Sequence, residues 1–147
     1  MMRVSARALA CGIVMLAWLH GSRLEAQTFV GTWIRQDTPM TMTVEVCCGS
    51  GRRLTYRIPS NGTESLLVLE TALDGKDAPV MMRGQPTGQT MAIRQLDDRH
   101  AVAVLKVNGQ DTGTARGTLS ADGRTLTVDY TAPPGGQANP KEIWLRK

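Results

Sequence analysis

The sequence is poor in the residues that most often build catalytic and metal centres. Its 147 residues include only two histidines and three cysteines, and aromatic residues make up 4% of the chain. Few residues are therefore available to build a Ser-His-Asp triad or a histidine-based metal site. Ser50 does not lie in a G-x-S-x-G nucleophile elbow, and no glycine-rich phosphate loop is present. We expect no catalytic residues, no cofactor and no metal site, and hence no enzyme.

An excess of charge of one sign is also lacking. The chain has 17 basic and 13 acidic residues. Three of the basic residues and one acidic residue fall before position 27, so 14 and 12 remain after it, a net charge of +2. These charges are interspersed, and Arg52-Arg53 is the densest basic pair. The pattern does not favour nucleic acid as a partner.

Long apolar runs are absent except near the N-terminus. Arg3 and Arg7 precede an apolar run from Ala8 to Leu19, which is too short to span a bilayer with stable flanks. This arrangement is typical of a secretory signal peptide, which we assign to residues 1–26. Residues 27–147 then form one domain, and the mature chain has no second run of membrane-spanning length. We expect a secreted or periplasmic protein.

Period-2 alternation is the pattern that recurs along the chain. Met40, Met42 and Val44 share one face of a strand, while Thr41 and Thr43 lie on the other. Such alternation is typical of half-buried antiparallel strands, and no comparable helical pattern appears. The predicted strands are residues 29–35, 40–47, 53–58, 64–71, 79–83, 89–96, 100–107, 111–119, 124–131 and 141–146.

Turn residues separate these segments at the spacing of consecutive hairpins. Asn108-Gly109 is the strongest signal, because both central positions of a type I′ turn need positive φ, and Asp122-Gly123 repeats it. Further turns are predicted at Gly49-Ser50-Gly51, Asn61-Gly62, Asp74-Gly75, Asp97-Asp98 and residues 133–136. Short strands joined in sequence form a meander, and closure removes its exposed edges. We predict an all-β, antiparallel up-and-down barrel of about 8–10 strands.

The first and last predicted strands carry a recognisable pair of motifs. Gly31-Thr32-Trp33 lies on the first, and the last ends in Ile143-Trp144-Leu145-Arg146. Together with ALDGKDAPV, RQLDDRHAVAVLKVNGQ and GTLSADGRTLTV, they resemble the small secreted, lipocalin-like (calycin-type) proteins of bacteria. The resemblance implies that Gly31, Trp33 and Arg146 close the barrel, with Trp33 as the plug and Arg146 lying across it.

A barrel of this width holds either large side chains or a cavity. Methionine is frequent, and small residues occur on neighbouring later strands, which favours a cavity with an adaptable apolar lining. We predict that a small apolar ligand contacts Met40, Met42, Val44, Tyr56, Leu66, Met91 and Ile93. The alternative is a filled barrel that acts as a protein-interaction or inhibitor module through loops 48–53 and 132–140.

Cys47 and Cys48 are adjacent, which is unusual. Successive strand residues point to opposite faces, so a vicinal disulfide requires that the backbone leave strand geometry, which the following Gly49-Ser50-Gly51 turn allows. In an oxidising compartment the alternatives are a vicinal disulfide, an intermolecular bridge, or one buried and one exposed thiol. Metal binding needs a further ligand nearby, which the sequence does not place.

His100 is the one histidine that follows residue 26. It ends the charged stretch Leu96-Asp97-Asp98-Arg99-His100, which is typical of a surface turn. A haem-binding barrel with His100 as its axial ligand is a third alternative, and it requires His100 to face a cavity.

Overall fold

The computed structural model describes residues 28–137 and 140–147, and these form a closed ten-stranded barrel. Each strand pairs antiparallel with the next along the chain, and β1 pairs with β10 to close the sheet. The prediction of an all-β up-and-down barrel is confirmed, while the predicted signal peptide lies outside the described residues. The strands are β1 Gly31–Arg35, β2 Thr41–Cys47, β3 Gly51–Ser60, β4 Thr63–Thr71, β5 Asp74–Met82, β6 Gln85–Gln95, β7 His100–Val107, β8 Gln110–Leu119, β9 Thr125–Thr131 and β10 Glu142–Arg146.

The alternation in the sequence decides which side chains enter the barrel. Register pairs such as Val44 with Leu54 and Leu54 with Leu69 place apolar residues of successive strands side by side on the inner face. The intervening residues, such as Arg53 beside Glu70, point outward. The buried core consists of Trp33, Met42, Val44, Leu54, Leu69, Ala78, Val80, Ile93, Leu119, Leu126 and Trp144.

Two hairpin connections differ from the prediction. The expected turn at Asp74-Gly75 is wrong, because both residues belong to β5. The chain reverses just before them at Leu73, which has a positive φ of 60°, and Gly75 lies where the pairing with β6 shifts register. The β5–β6 turn is instead Arg83-Gly84, with φ of 51° and 76°, as a type I′ turn requires.

The connections divide between the two ends of the barrel. One end, which we name the N-terminal end, carries residues 28–30 and the β2–β3, β4–β5, β6–β7 and β8–β9 connections. The opposite end, which we name the far end, carries the β1–β2, β3–β4, β5–β6, β7–β8 and β9–β10 connections. Within the described part of the chain, no helix has the length and apolar character needed to cross a membrane.

Trp33 and Arg146 meet where β1 and β10 pair. Trp33 is fully buried, and its Nε1 donates a hydrogen bond to Phe29 O at 2.9 Å. The Arg146 guanidinium lies 4.2 Å from the centre of the Trp33 ring, within the range of a cation–π contact. Gly31 leaves room for it, since a Cβ at that position would collide with Arg146 Nη1.

Arg146 also ties residues 28–30 to the rest of the sheet. Its Nη2 and Nη1 donate to Thr28 O at 2.6 Å and Val30 O at 2.7 Å, and its Nε donates to Gly123 O at 2.7 Å. Three carbonyls that no strand partner satisfies thereby gain a charged donor. This contact fastens residues 28–30 across the N-terminal end.

Candidate ligand pocket

The barrel encloses a pocket of about 270 Å³. The space exists because β7 and β8 present small side chains to the interior, with Ala101 beside Gly117 and Ala103 beside Ala115. Larger apolar side chains from the other strands, including Met91 and Leu126, complete its wall. The interior is therefore only partly filled by its own side chains.

Five of the seven predicted ligand residues line this pocket: Met42, Val44, Tyr56, Met91 and Ile93. Met40 is half-buried and packs against the core beside the pocket rather than lining it. Leu66 is 39% exposed on the outer face of β4. Its neighbour Leu67 points inward, and in the apolar run Leu66-Leu67-Val68-Leu69 the sequence does not reveal which alternate residues enter the barrel. As ligand contacts, the residues that line the pocket stay predictions.

An ion pair that the sequence did not reveal contributes to the pocket wall. Arg35 Nη1 lies 2.8 Å from Glu142 Oε1, and the two side chains are only 16% and 15% exposed. Trp144 Nε1 donates to Glu142 Oε2 at 3.0 Å, so both carboxylate oxygens have partners. Glu142 and Trp144 line the pocket. The sequence does offer one signal for this ion pair. Alternate residues of a strand point to the same face, so Arg35, two residues after Trp33, should point inward as Trp33 does.

Asp37 holds the Arg35 guanidinium from the solvent side. Asp37 Oδ2 accepts a hydrogen bond from Arg35 Nη2 at 3.2 Å. Arg35 Nε lies 2.7 Å from Asp37 Oδ1, but its N–H does not point at that oxygen, so this second contact is electrostatic. The single positive charge thus faces two carboxylates, and it is not free to pair with an anionic ligand.

Two tyrosines bring hydroxyl groups to the pocket near this ion pair. Tyr56 packs edge-on against Trp144, with ring centres 6.2 Å apart. Burial, and then the negative charge of Glu142, raise the pKa of Tyr56 to about 12. Burial and then the same carboxylate also raise the pKa of Tyr130. Both phenols therefore stay protonated at physiological pH. The Tyr130 hydroxyl has the Glu142 carboxylate as an acceptor, whereas the Tyr56 hydroxyl can donate a hydrogen bond to a ligand.

The pocket also reaches polar groups at the N-terminal end. Arg52, Gln95 and Asp98 line it there, beside Phe29 and Leu73. Arg52 Nη1 donates to Ser50 O and Gly51 O, both at 2.9 Å, which holds the guanidinium over the β2–β3 turn. A polar rim at this end and an ion pair with tyrosines deeper along the wall enclose an apolar middle.

His100 lies outside the pocket lining. Its Nδ1 is 2.8 Å from Asp97 Oδ1, and the side chain is 39% exposed at the β6–β7 turn. Asp97 Oδ1 also accepts hydrogen bonds from the backbone N–H groups of Arg99 and His100. The histidine therefore belongs to a surface turn, and the requirement of the haem alternative, a histidine that faces the cavity, is not met.

Cys47 and Cys48 lie at the β2–β3 turn, on the outside of the barrel. They are unbridged, with their Sγ atoms 2.6 Å apart, and Cys48 Sγ is 3.5 Å from Glu70 Oε2. The hydrogen bond to Cys47, the largest of several causes, raises the pKa of the Cys48 thiol to about 11. A disulfide between the two residues stays a prediction.

The arrangement as a whole is suited to binding an uncharged molecule. An apolar middle offers contact area, the protonated Tyr56 offers a hydrogen bond, and Arg35 and Glu142 neutralise each other. Among the residues that line the pocket, no histidine or cysteine is available as a nucleophile or base. Comparison of the chain with protein-family models, curated proteins and solved structures gave no match.

Proposed function

We propose that this protein is a secreted, non-catalytic binding protein of lipocalin-like type that holds a small apolar molecule inside its barrel. The observation that carries the proposal is the internal pocket of about 270 Å³ whose middle is walled by apolar side chains such as Met42, Met91 and Ile93. Sites for small molecules are concave and mostly apolar, with a few polar groups that fix orientation. The volume lies at the lower limit of such sites, roughly 300 Å³, and favours a small ligand.

The polar groups narrow the chemistry of the ligand. Tyr56 remains protonated and supplies a donor, so the ligand should carry an oxygen or nitrogen that accepts a hydrogen bond. The charges of Arg35 and Glu142 compensate each other at 2.8 Å. A charged group brought beside them would lose its hydration without gaining a counter-ion. We therefore favour a neutral molecule over a carboxylate or an amine.

The first experiment is native mass spectrometry of the protein purified gently from its source, followed by denaturation to release and identify what is bound. A neutral apolar molecule at one per chain is the expected result. In parallel, an uncharged fluorescent probe is titrated into the protein after removal of any such molecule. Binding should change the emission of Trp144, which lines the pocket.

A pair of neighbouring substitutions on β8 tests whether the probe sits in the barrel. Ala115→Phe fills the pocket, because Ala115 lines it, and should weaken probe binding at least tenfold. Thr114→Phe places the same side chain on the exposed face of the strand and should leave binding unchanged. Ala115→Leu repeats the test with a smaller group. Equal binding by the two phenylalanine variants, both melting as the parent does, would contradict the proposal.

A further inference from the structure

The outer face of the barrel brings three potential metal ligands together at the β2–β3 turn. Cys47 ends β2, Cys48 follows it in the turn, and Glu70 lies two strands away on β4. One ligand atom from each residue lies within 4.8 Å of the other two. The sequence could not place a third ligand beside the cysteines, because Glu70 is 22 residues away from Cys48 along the chain. Pairing of β3 with both β2 and β4 makes them neighbours.

The backbone at Cys48 is what allows both sulfurs to reach the same point. In a continuous strand the two side chains would point to opposite faces of the sheet. Cys48 instead has a φ of 52°, in the left-handed region that non-glycine residues seldom occupy, and Gly49 follows with 80°. The Arg83-Gly84 turn has similar angles, so the geometry of a hairpin turn is what takes Cys48 out of the alternation of β2.

One of the interatomic distances already matches tetrahedral coordination of a zinc ion, and a second must lengthen. With Zn–S bonds of about 2.3 Å and Zn–O bonds of about 2.1 Å, tetrahedral angles separate sulfur from oxygen by about 3.6 Å and sulfur from sulfur by about 3.8 Å. Cys48 Sγ and Glu70 Oε2 are already 3.5 Å apart. The two Sγ atoms, at 2.6 Å, must separate by about 1.2 Å. Rotation of the exposed Cys48 side chain provides that movement.

Arg53 orients the carboxylate for this role. Its Nε and Nη2 donate to Glu70 Oε1 at 2.8 and 2.6 Å, which leaves Oε2 directed at the thiols. Metal ligands are commonly held by such an outer partner. A second pair on the same hairpin, Arg57 with Glu64 at 2.7 Å, has the same residue types but no cysteine beside it. It provides a matched control within the chain.

We propose that Cys47, Cys48 and Glu70 bind a zinc ion. Zn²⁺ accepts both thiolate sulfur and carboxylate oxygen, whereas Cu(I) selects sulfur ligands and Mg²⁺ or Ca²⁺ select oxygen ligands. Three ligands from the chain leave the fourth tetrahedral position to water. Each thiol releases its proton to solvent when the ion binds. The site lies on the outer face, so it is separate from the pocket and does not depend on the proposed ligand.

The test is a titration of the purified protein with Zn²⁺. A phosphine reductant keeps the thiols reduced, and a chromophoric zinc chelator competes for the ion and reports its free concentration. One ion per chain is expected, and Co²⁺ in its place should give the charge-transfer absorption of thiolate ligation. Cys47→Ser and Cys48→Ser should each weaken Zn²⁺ binding more than a hundredfold. Glu70→Gln should weaken it about tenfold, while Glu64→Gln should leave it unchanged.

Several results would overturn the proposal. Absence of stoichiometric Zn²⁺ binding by the reduced protein would do so, as would a Co²⁺ complex without thiolate absorption. A Glu70→Gln variant that binds as tightly as Glu64→Gln would remove the carboxylate from the site. Because circular dichroism is recorded for every variant, a change in Zn²⁺ affinity is separated from a failure to fold.

Discussion

Two arginine–tryptophan pairs lie side by side where β1 pairs with β10, and they have different roles. Trp33 of β1 is in register with Arg146 of β10, and Arg35 of β1 is in register with Trp144 of β10. In the first pair the guanidinium covers the ring at 4.2 Å and donates to three backbone carbonyls. In the second, the guanidinium binds the Glu142 carboxylate, and Trp144 donates to that same carboxylate.

The difference lies in the partners rather than in the residue types. The carbonyl partners of Arg146 leave its positive charge in place at the edge of the barrel. There it holds residues 28–30 by hydrogen bonds and covers the ring of Trp33. A carboxylate partner neutralises Arg35 where solvent is scarce, and Trp144, which donates to that carboxylate, lines the pocket. The Trp33–Arg146 pair therefore closes the barrel, and the Arg35–Trp144 pair forms part of the candidate ligand pocket and its surroundings.

Substitution of the tryptophans tests this contrast with the largest expected effect. Trp33→Ala should lower the free energy of unfolding by about 3–5 kcal/mol, because a fully buried ring leaves a cavity among packed neighbours. Trp144→Ala should cost at least about 1 kcal/mol less, because Trp144 lines the pocket and its truncation enlarges an existing space. Urea unfolding followed by far-ultraviolet circular dichroism measures both.

Trp33→Phe gives an intermediate value if Trp33→Ala does not fold. A Trp144→Ala variant that loses as much stability as Trp33→Ala would contradict the distinction between a sealing ring and a lining ring.

The ion pair gives the next largest effect. Arg35→Met removes the cation that faces the Glu142 carboxylate, whose side chain is only 15% exposed in the parent, and should lower the free energy of unfolding by about 2–3 kcal/mol. Glu142→Gln added to Arg35→Met removes the stranded charge and should recover most of that loss. Thermal unfolding of the single and double variants measures the coupling. Equal stability of Arg35→Met and the double variant would show that a stranded carboxylate is not the cause of the loss.

The strand pattern was predictable because the barrel imposes it everywhere. An inward face must be apolar and an outward face tolerates charge, so alternation in runs such as Met40 to Val46 marks a strand from sequence alone. The exceptions are local. Asp74-Gly75 has turn composition but lies in an irregular part of β5, and Arg83 adopts positive φ although arginine carries no signal for it. Tertiary pairing overrides local preference at both positions.

The pocket was less accessible to sequence reasoning than the sheet. Small residues on β7 and β8 pointed to unfilled space, which the structure contains. The Arg35–Glu142 pair was not foreseen, because charged residues ordinarily indicate the solvent face and the two are far apart in the chain. Leu66 shows a different limit, since consecutive apolar residues leave the inward phase undefined. The closed sheet determines which residues become cross-strand neighbours and which alternate residues face inward, and the local sequence does not.

The smallest effect, and the most local, is expected for Arg146→Lys. Lysine keeps the positive charge but has a single ammonium in place of the guanidinium fork, so it cannot reach Thr28 O, Val30 O and Gly123 O together. We expect a loss of about 1–2 kcal/mol in the free energy of unfolding. The loss should be accompanied by faster amide exchange in residues 28–33, while β6 and β7 exchange as in the parent. Because the charge is retained, a variant with parental exchange at the N-terminal end would show that charge over Trp33, and not the fork of hydrogen bonds, fastens the start of the barrel.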